Sequence, residues 1–177
     1  YLPPLQQAIC LLKYRGKICL ANPLARLMAT VLPADLQTDV IIPVPLHPAR
    51  LRTREFNQSL LLADHLGRHM RKPVSSTSLA RIRPTDPQTT LPRRDRLRNL
   101  RKAFAVSESR SIAGRRILLV DDVFTTGTTL NECADALLEA GAESVCAMTL
   151  ARTVDASLVA DRIFAEESSR PLTALGI

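Results

Sequence analysis

The stretch Leu119–Thr129, with the sequence LVDDVFTTGTT, decides the fold of this chain. It begins inside the apolar run Arg116–Val120, which is typical of a strand buried in a parallel sheet. After two acids and a Thr/Gly turn, apolar residues at helical spacing continue to Gly141, a residue suited to end a helix. Val145–Leu150 is typical of another strand. This alternation predicts an α/β fold with a central, mainly parallel sheet flanked by helices.

The chemistry of this stretch lies in Asp121 and Asp122 and in the turn that follows them. Ligands of α/β sheets bind beyond the carboxyl ends of the strands. Gly127 allows a close backbone approach, and the N–H groups at a helix N-terminus favour phosphate. Adjacent carboxylates repel a bare anion, so they indicate sugar hydroxyls or a cation beside the phosphate. The pattern predicts a ribose 5-phosphate site; the competing interpretation is a capped helix start without a ligand.

Two common classes of nucleotide-binding protein are excluded by motif. The chain contains no G-x-x-x-x-G-K-[ST] loop, so no lysine is available at the phosphates of an ATPase-type site. It also lacks the G-x-G-x-x-G turn of dinucleotide-binding folds. ATPase and dehydrogenase functions are therefore set aside.

Working outward toward the N-terminus, the apolar periodicity predicts further elements on both sides of a basic turn. The region 1–38 is expected to be helical, and a proline-bounded run of β-branched residues is expected to form a strand. In chain order we predict helices over Leu5–Lys13 and Asn22–Leu32, a strand over Asp39–Pro45, a basic turn over His47–Arg54, an amphipathic helix over 56–70, and a strand over Val74–Ile82.

The segment Arg83–Leu100 is polar, contains prolines and has no apolar period, which predicts a long flexible loop. It lies in the most basic part of the chain, because Arg81–Lys102 holds eight basic residues and two acidic ones. That surplus of six accounts for most of the net charge of +7. Such a concentration indicates a polyanionic partner, either nucleic acid or a small molecule bearing pyrophosphate.

Length and composition indicate one globular domain. The chain has 177 residues, of which 46% are hydrophobic, and we predict a domain over 1–165 followed by a disordered tail over 166–177. No apolar run approaches the roughly 20 residues that cross a bilayer, so we expect no membrane insertion and a cytoplasmic location. The cysteines lack C-x-x-C spacing and are expected to be reduced core residues rather than zinc ligands: Cys10, Cys19, Cys133 and Cys146.

Leu119–Thr129 resembles the signature of type I phosphoribosyltransferases for phosphoribosyl pyrophosphate (PRPP), in which two acids precede T-T-G-x-T. A second stretch, Ile42–Pro48 with Arg50–Arg52 and Phe56–Gln58, is similar to the I-P-V-P-L-H and R-G-F-N-Q motifs of the ComF/GntX family, whose members are tied to DNA uptake or DNA utilisation. The loop follows that family's R-x-T-x-x-Q-x-x-L-x-x-x-x-R-x-x-N pattern at Arg83, Thr85, Gln88, Leu91, Arg96 and Asn99. The resemblance spans about Leu12–Thr153.

This resemblance implies a type I phosphoribosyltransferase-like fold and a set of site residues. Asp121 and Asp122 would contact the ribose hydroxyls, and Arg83 and Arg96 would act from a loop that closes over PRPP. Mg²⁺ would be carried by PRPP oxygens without a required protein ligand, although the two carboxylates could also reach it. The 5-phosphate would be held by Thr125, Thr126, Gly127, Thr128 and Thr129. The pyrophosphate would be approached by His47, Pro48, Ala49 and Arg50, with a plain turn residue as the equal alternative for His47.

Two functions follow as expectations. The first is Mg²⁺-dependent transfer of ribose 5-phosphate from PRPP to an unknown acceptor, with release of pyrophosphate. The second is a non-catalytic module that senses PRPP or a nucleotide, or that binds single-stranded DNA or DNA-processing proteins through Arg81–Lys102. The scarcity of aromatic residues, 3% of the chain, argues against extended base stacking. A homodimer is a further expectation.

Two departures from the family pattern stand out. The residue before Phe56-Asn57-Gln58 is Glu55 where the family has glycine, which is expected to change the turn and to add negative charge near the pyrophosphate. Family members also commonly begin with a cysteine-rich zinc-binding segment. Because this chain starts at Tyr1, beyond the position of such a segment, we expect it to be a fragment or a processed form.

Overall fold

The computed structural model of the chain describes residues 3–83, 103–107 and 109–153, together with the backbone of Thr173–Gly176. Within this part of the chain no helix is long and apolar enough to cross a membrane. The strands are β1 (Val40–Pro43), β2 (Leu79–Arg81), β3 (Phe104–Val106), β4 (Arg116–Phe124), β5 (Ser144–Arg152) and β6 (Thr173–Gly176). The helices are α1 (Leu5–Arg15), α2 (Ala21–Ala29), α3 (Pro48–Arg54), α4 (Gln58–Met70), α5 (Ser109–Ile112) and α6 (Thr128–Glu139).

The central sheet has four parallel strands in the order β1-β4-β5-β6. Leu118 of β4 lies between Ile41 of β1 and Cys146 of β5, so β4 is an interior strand. The run from Ile117 to Val120 is fully buried, as expected for a strand covered on both faces. The predicted α/β fold with a mainly parallel sheet is confirmed.

Alternate residues of β4 face two separate apolar layers. Leu118 and Val120 pack in a cluster with buried residues of α1, α2 and α4, whereas Ile117 and Leu119 pack in a cluster with α6 and the β2–β3 ribbon. Ile9 and Leu12 of α1 belong to the first cluster and are almost completely buried. The N-terminal helical part therefore shares the core of the sheet rather than lying apart from it.

A charged contact fixes the register of β1 against β4. The backbone N–H of Asp39 donates to the Arg116 carbonyl at 2.8 Å, and the Asp39 carboxylate accepts from both the backbone and the guanidinium of Arg116. These bonds lower the pKa of Asp39 below its ordinary range. Because β1 leads into the candidate site, this contact also sets the height of the chain after β1 relative to the acids of β4.

Several predicted elements differ from the structure in extent. β4 continues through both acids to Phe124, because β5 lies beside it as far as Arg152. The basic segment after β1 forms helix α3 rather than a turn. The strand predicted over Val74–Ile82 is limited to β2, which pairs antiparallel with β3, while Val74 makes a single bridge to Ile41.

The C-terminal segment of the chain contributes to the central sheet. The segment 166–177, predicted to be a tail, contributes the backbone of β6, which pairs with β5 from Cys146 to Thr149. The fourth strand thus comes from a stretch without a recognisable apolar pattern. The domain boundary at 165 stays a prediction, since residues 154–172 lie outside the described part of the chain. The same holds for most of the predicted loop, residues 84–102.

The prediction that all four cysteines are core residues is wrong for two of them. Cys133 is buried and Cys146 is half-buried, but Cys10 and Cys19 are exposed. The buried residues of α1 are Ile9 and Leu12, and Cys10 is not on that face of the helix. Cys19 lies in the short 3₁₀ turn Ile18–Leu20 that joins α1 to α2, which has no buried residue.

Gly67 of α4 lies where another side chain would collide with its neighbours. A Cβ atom at this position would lie 2.5 Å from Val74 Cγ2 and 3.0 Å from the Lys72 carbonyl oxygen. We expect Gly67→Ala to lower the free energy of unfolding by about 1 to 2 kcal/mol in urea denaturation, because overpacking outweighs the better helix propensity of alanine. Adding Val74→Ala should recover part of that loss. A more stable Gly67→Ala variant would contradict the close approach.

Candidate functional site

A cleft of about 930 Å³ lies at the carboxyl ends of β1 and β4. The chain after β1 contributes Val44, Pro45 and Leu46 to its wall, and β4 contributes Asp121 and Asp122. This is the edge at which parallel α/β sheets bind ligands, because the loops that follow the strands are free to carry functional side chains. The sequence-predicted acids therefore both line this cleft.

The two carboxylates are held by different elements. The Asp121 Oδ1 atom accepts a 2.8 Å hydrogen bond from the Ser59 hydroxyl and a 2.9 Å bond from the backbone N–H of Asp122. The Asp122 Oδ2 atom forms an ion pair with the Lys13 ammonium at 2.9 Å. The sequence predicts both acids beyond the strand Arg116–Val120. They lie within β4, where alternation directs Asp122 to the side of α1 and Asp121 to the opposite side.

The environment of Asp121 makes its carboxyl group hard to ionise. Burial, and secondly the nearby charge of Asp122, raise the pKa of Asp121 to about 7, although hydrogen bonds from Asp122 and Ser59 oppose the shift. Part of the side chain remains accessible from the cleft, so its protonation can respond to a ligand. A carboxyl group of this kind is half ionised near neutral pH, which is typical of functional sites.

This raised pKa predicts how stability changes with pH. The folded chain binds the Asp121 proton more tightly than the unfolded chain, whose pKa is near the ordinary 3.8. The contribution is therefore fully present below about pH 4 and is lost as pH rises to about 7. We expect the unfolding free energy of the parent, minus that of Asp121→Asn, to fall between pH 5 and 7 in urea denaturation and to level off at pH 8. A difference that is constant with pH would contradict the shift.

The turn after β4 forms the start of α6. Gly127 caps the helix with a φ of 77°, a left-handed conformation that favours glycine, and its carbonyl accepts from the Asn131 N–H at 2.9 Å. The hydroxyls of Thr126 and Thr128 are hydrogen bonded to each other at 2.8 Å. Thr125 and Thr129 line the cleft, whereas Gly127 and Thr128 are buried behind them. The structure thus brings Thr125 and Thr129 to the same cleft as the acids, whereas Thr126, Gly127 and Thr128 are not part of its wall.

The segment predicted to approach pyrophosphate is the first turn of α3. His47 caps this helix, with Nδ1 accepting from the Ala49 N–H at 3.2 Å, and Pro48 occupies a first-turn position that suits proline. Arg50 lines the cleft, but His47, Pro48 and Ala49 are not among the residues that form its wall. A capping role therefore accounts for His47, and Arg50 is the member of this segment that lines the cleft.

Glu55 adopts a left-handed backbone conformation at the end of α3. Its φ of 65° is left-handed, and its N–H donates to the Leu51 carbonyl at 2.7 Å to end α3. Asn57 then caps α4 and donates from Nδ2 to the Val44 carbonyl. Glu55 thus takes a conformation that favours glycine, and it contributes a carboxylate to the cleft wall.

The arginines of the predicted loop are only partly described. Arg81 at the end of β2 lines the cleft with its guanidinium 5.5 Å from the centre of the Phe104 ring. Burial, followed by the nearby Arg50, lowers the pKa of Arg81. Arg83 is exposed and does not line the cleft, and Arg96 lies outside the described residues. Arg81 is thus the basic residue of this region with a described place in the site.

Further residues of the cleft wall were not predicted as site residues. Lys13 and Tyr14 come from α1, and Tyr14 packs against the Arg54 guanidinium, 5.1 Å from the ring centre. Gln58 and Ser59 begin α4 directly after its capping residue. Gln58 is 1% exposed, and among the described residues its Nε2 atom has no acceptor. Only Gln58 belongs to a quoted family motif; nothing local in the sequence singles out Lys13.

The donor atoms limit how a metal ion could be held. Within the described residues there is no group of three or more histidine, cysteine, aspartate or glutamate side chains that could bind a metal. At the acidic pair, one carboxylate oxygen is used by Ser59 and another by Lys13. This donor set does not form a metal site made of protein alone. It fits an Mg²⁺ ion whose ligands come mainly from a bound phosphate ester, because Ser59 and Lys13 already engage an oxygen of each carboxylate.

Comparison with known proteins agrees with this geometry. The phosphoribosyl transferase domain family matches residues 57–164. The chain is 35% identical over 159 residues to competence protein F of Haemophilus influenzae, covering 86% of this chain and 69% of that protein. It is 39% identical over 160 residues to DNA utilization protein YhgH of Escherichia coli K12, covering 87% and 70%.

A solved structure gives the fold independently. Adenine phosphoribosyltransferase from Thermoanaerobacter pseudethanolicus is similar with a TM-score of 0.55 at 12% identity, covering 92% of this chain and 82% of that one. The type I phosphoribosyltransferase fold expected from the motifs is therefore confirmed. Since the domain match covers more than half of the chain and the relatives cover most of it, the chain belongs to the phosphoribosyl transferase domain family and, within it, to the ComF/GntX proteins.

Proposed function

We propose that this chain binds PRPP in the cleft at the ends of β1 and β4. The observation that carries the proposal is the meeting of the Asp121–Asp122 pair with the Thr125–Thr129 turn at one opening. The carboxylates would accept hydrogen bonds from the ribose 2- and 3-hydroxyls. The N-terminus of α6 and the threonine hydroxyls would hold the 5-phosphate, and no lysine is needed there because helix dipoles and N–H groups favour the dianion.

We further propose that the chain transfers the ribose 5-phosphate group to an acceptor. The bond between ribose C1 and the pyrophosphate oxygen breaks, and a bond from C1 to the acceptor forms as the acceptor loses a proton. Arg50 and Arg81 line the cleft and would stabilise the departing pyrophosphate. Arg83 and Arg96 stay proposed as loop residues that approach it on closure. Bound Mg²⁺ would neutralise charge on the pyrophosphate, and the acidic pair would orient the ribose.

The proposal is tested by calorimetric titration of the chain with PRPP in the presence of MgCl₂. Saturable binding of one PRPP per chain is expected, and heats equal to a dilution blank would reject the binding step. Transfer is tested separately by measuring pyrophosphate release with a panel of nucleobases and amines. Release that requires one acceptor supports catalysis, whereas binding without any release identifies a PRPP-sensing module instead.

The names of the relatives favour a role in DNA uptake or utilisation, which we extend to this chain as a proposal. The competing function is a module that binds single-stranded DNA or DNA-processing proteins through Arg81–Lys102. Salt separates the two functions. Binding of a DNA oligonucleotide through several arginines is expected to weaken by orders of magnitude between about 50 and 200 mM salt. PRPP binding that depends on backbone dipoles should change far less over the same range.

A further inference from the structure

Lys13 is a cation in direct contact with the acidic pair, and it comes from outside the matched domain region. Its ammonium lies 2.9 Å from Asp122 Oδ2, and the two side chains are 17% and 13% exposed. The domain family matches residues 57–164, so α1 lies entirely before that region. The cleft of this chain is thus completed by a residue that the catalytic domain pattern does not include.

The fold holds Lys13 firmly in this position. Ile9 and Leu12 anchor α1 in the apolar cluster beneath β4, and both are almost completely buried. The helix ends at Gly16, whose left-handed conformation lets its N–H bond to the Leu11 carbonyl. Lys13 is therefore fixed one turn before the helix end, at the height of Asp122.

The charges in the cleft indicate what Lys13 does. Two adjacent carboxylates face a ligand that is itself strongly anionic, and Ser59 satisfies an oxygen of Asp121 without supplying charge. By contrast, the Arg116–Asp39 pair is more exposed, with side chains 35% and 23% accessible, and lies away from the cleft wall. Lys13 differs from that structural pair because it lines the cleft and neutralises a residue of the acidic pair.

We propose that Lys13 is a positioning residue of the ribose phosphate site. Its ammonium group holds the Asp122 carboxylate toward the ribose and supplies positive charge where a divalent cation would otherwise approach the acidic pair. The inference rests on the proposed function for its ligand, PRPP. The counter-ion role itself concerns only the acidic pair and can be measured without PRPP.

The experiment compares Lys13→Met, Lys13→Arg and the control Lys17→Met, whose lysine is exposed and does not line the cleft. With PRPP and fixed MgCl₂, calorimetry is expected to show affinity at least about tenfold weaker for Lys13→Met and near the parent value for Lys13→Arg and Lys17→Met. Without PRPP, MgCl₂ at ten times its Kd for Lys13→Met is expected to raise the Tm of that variant by about 3 to 6 °C. The parent and Lys17→Met should not respond.

The Mg²⁺ response separates this role from a merely structural one. If Lys13→Met lowers the Tm but keeps the parent's PRPP affinity and shows no response to MgCl₂, the inference is overturned. If Lys13→Met is too unstable to measure, Lys13→Gln provides the same test. The double variant Lys13→Met/Asp122→Asn should lose the response, because one carboxylate is gone. If the parent fails to bind PRPP, the proposed function fails, while the MgCl₂ comparison still decides the role of Lys13.

Discussion

PRPP with MgCl₂ is expected to raise the Tm of this chain by about 5 to 10 °C, and replacing both acids of β4 is expected to abolish the rise. At about 100 times Kd, a ligand that binds only the folded chain adds roughly 2.7 kcal/mol, which corresponds to this shift for a domain of this size. In Asp121→Asn/Asp122→Asn each amide keeps one acceptor but loses its negative charge. The ribose hydroxyls and the Lys13 ammonium then lose their charged partners.

A matched control separates the loss of the site from general damage. Asp135→Asn changes an exposed carboxylate on α6 that does not line the cleft, and it should keep the full ligand-induced shift. The double variant should remain folded without ligand and unfold cooperatively. The loss of repulsion between the two carboxylates offsets part of the contacts that the substitutions remove. If millimolar PRPP does not raise the Tm of the parent, the motif has only a structural role, and the basic segment Arg81–Lys102 becomes the candidate binding region.

The second large effect is expected at Gly127. An added Cβ atom would lie 2.7 Å from Phe124 Cζ, and the φ of 77° is itself costly for a side chain. The Arg152 guanidinium lies 5.0 Å from the centre of the Phe124 ring, which opposes a shift of the ring toward that side. We expect Gly127→Ala to weaken PRPP binding by about ten- to hundredfold in calorimetry, because the first turn of α6 must move away from the phosphate.

Gly114→Ala is the control for backbone strain. Gly114 has a φ of 67°, yet nothing lies within 4 Å of an added Cβ atom. It should therefore lose about 1 kcal/mol of stability or somewhat more in urea denaturation while binding PRPP as the parent does. Equal PRPP affinity in Gly127→Ala and the parent would mean that this turn does not hold the phosphate.

The sequence by itself determined the part of this protein that depends on neighbouring residues. The apolar run before Asp121 is typical of a buried strand, and the Thr/Gly turn after it is typical of a helix start, so the β4–α6 junction and the parallel sheet were predictable. The sequence predicted strand boundaries less well where pairing between distant strands determines them. β4 continues past its acids because β5 pairs with it, and residues 173–176 join the sheet although their composition indicates no strand.

Only the tertiary structure decided which side chains complete the cleft. Ser59 reaches Asp121 from the start of α4, and Lys13 reaches Asp122 from α1, across more than a hundred residues of chain. Helical periodicity shows which face of α1 is buried, but it cannot show which carboxylate lies at the edge of that face. The physical reason is that an ion pair depends on distance in space, and packing of the whole core brings these atoms within 3 Å of each other.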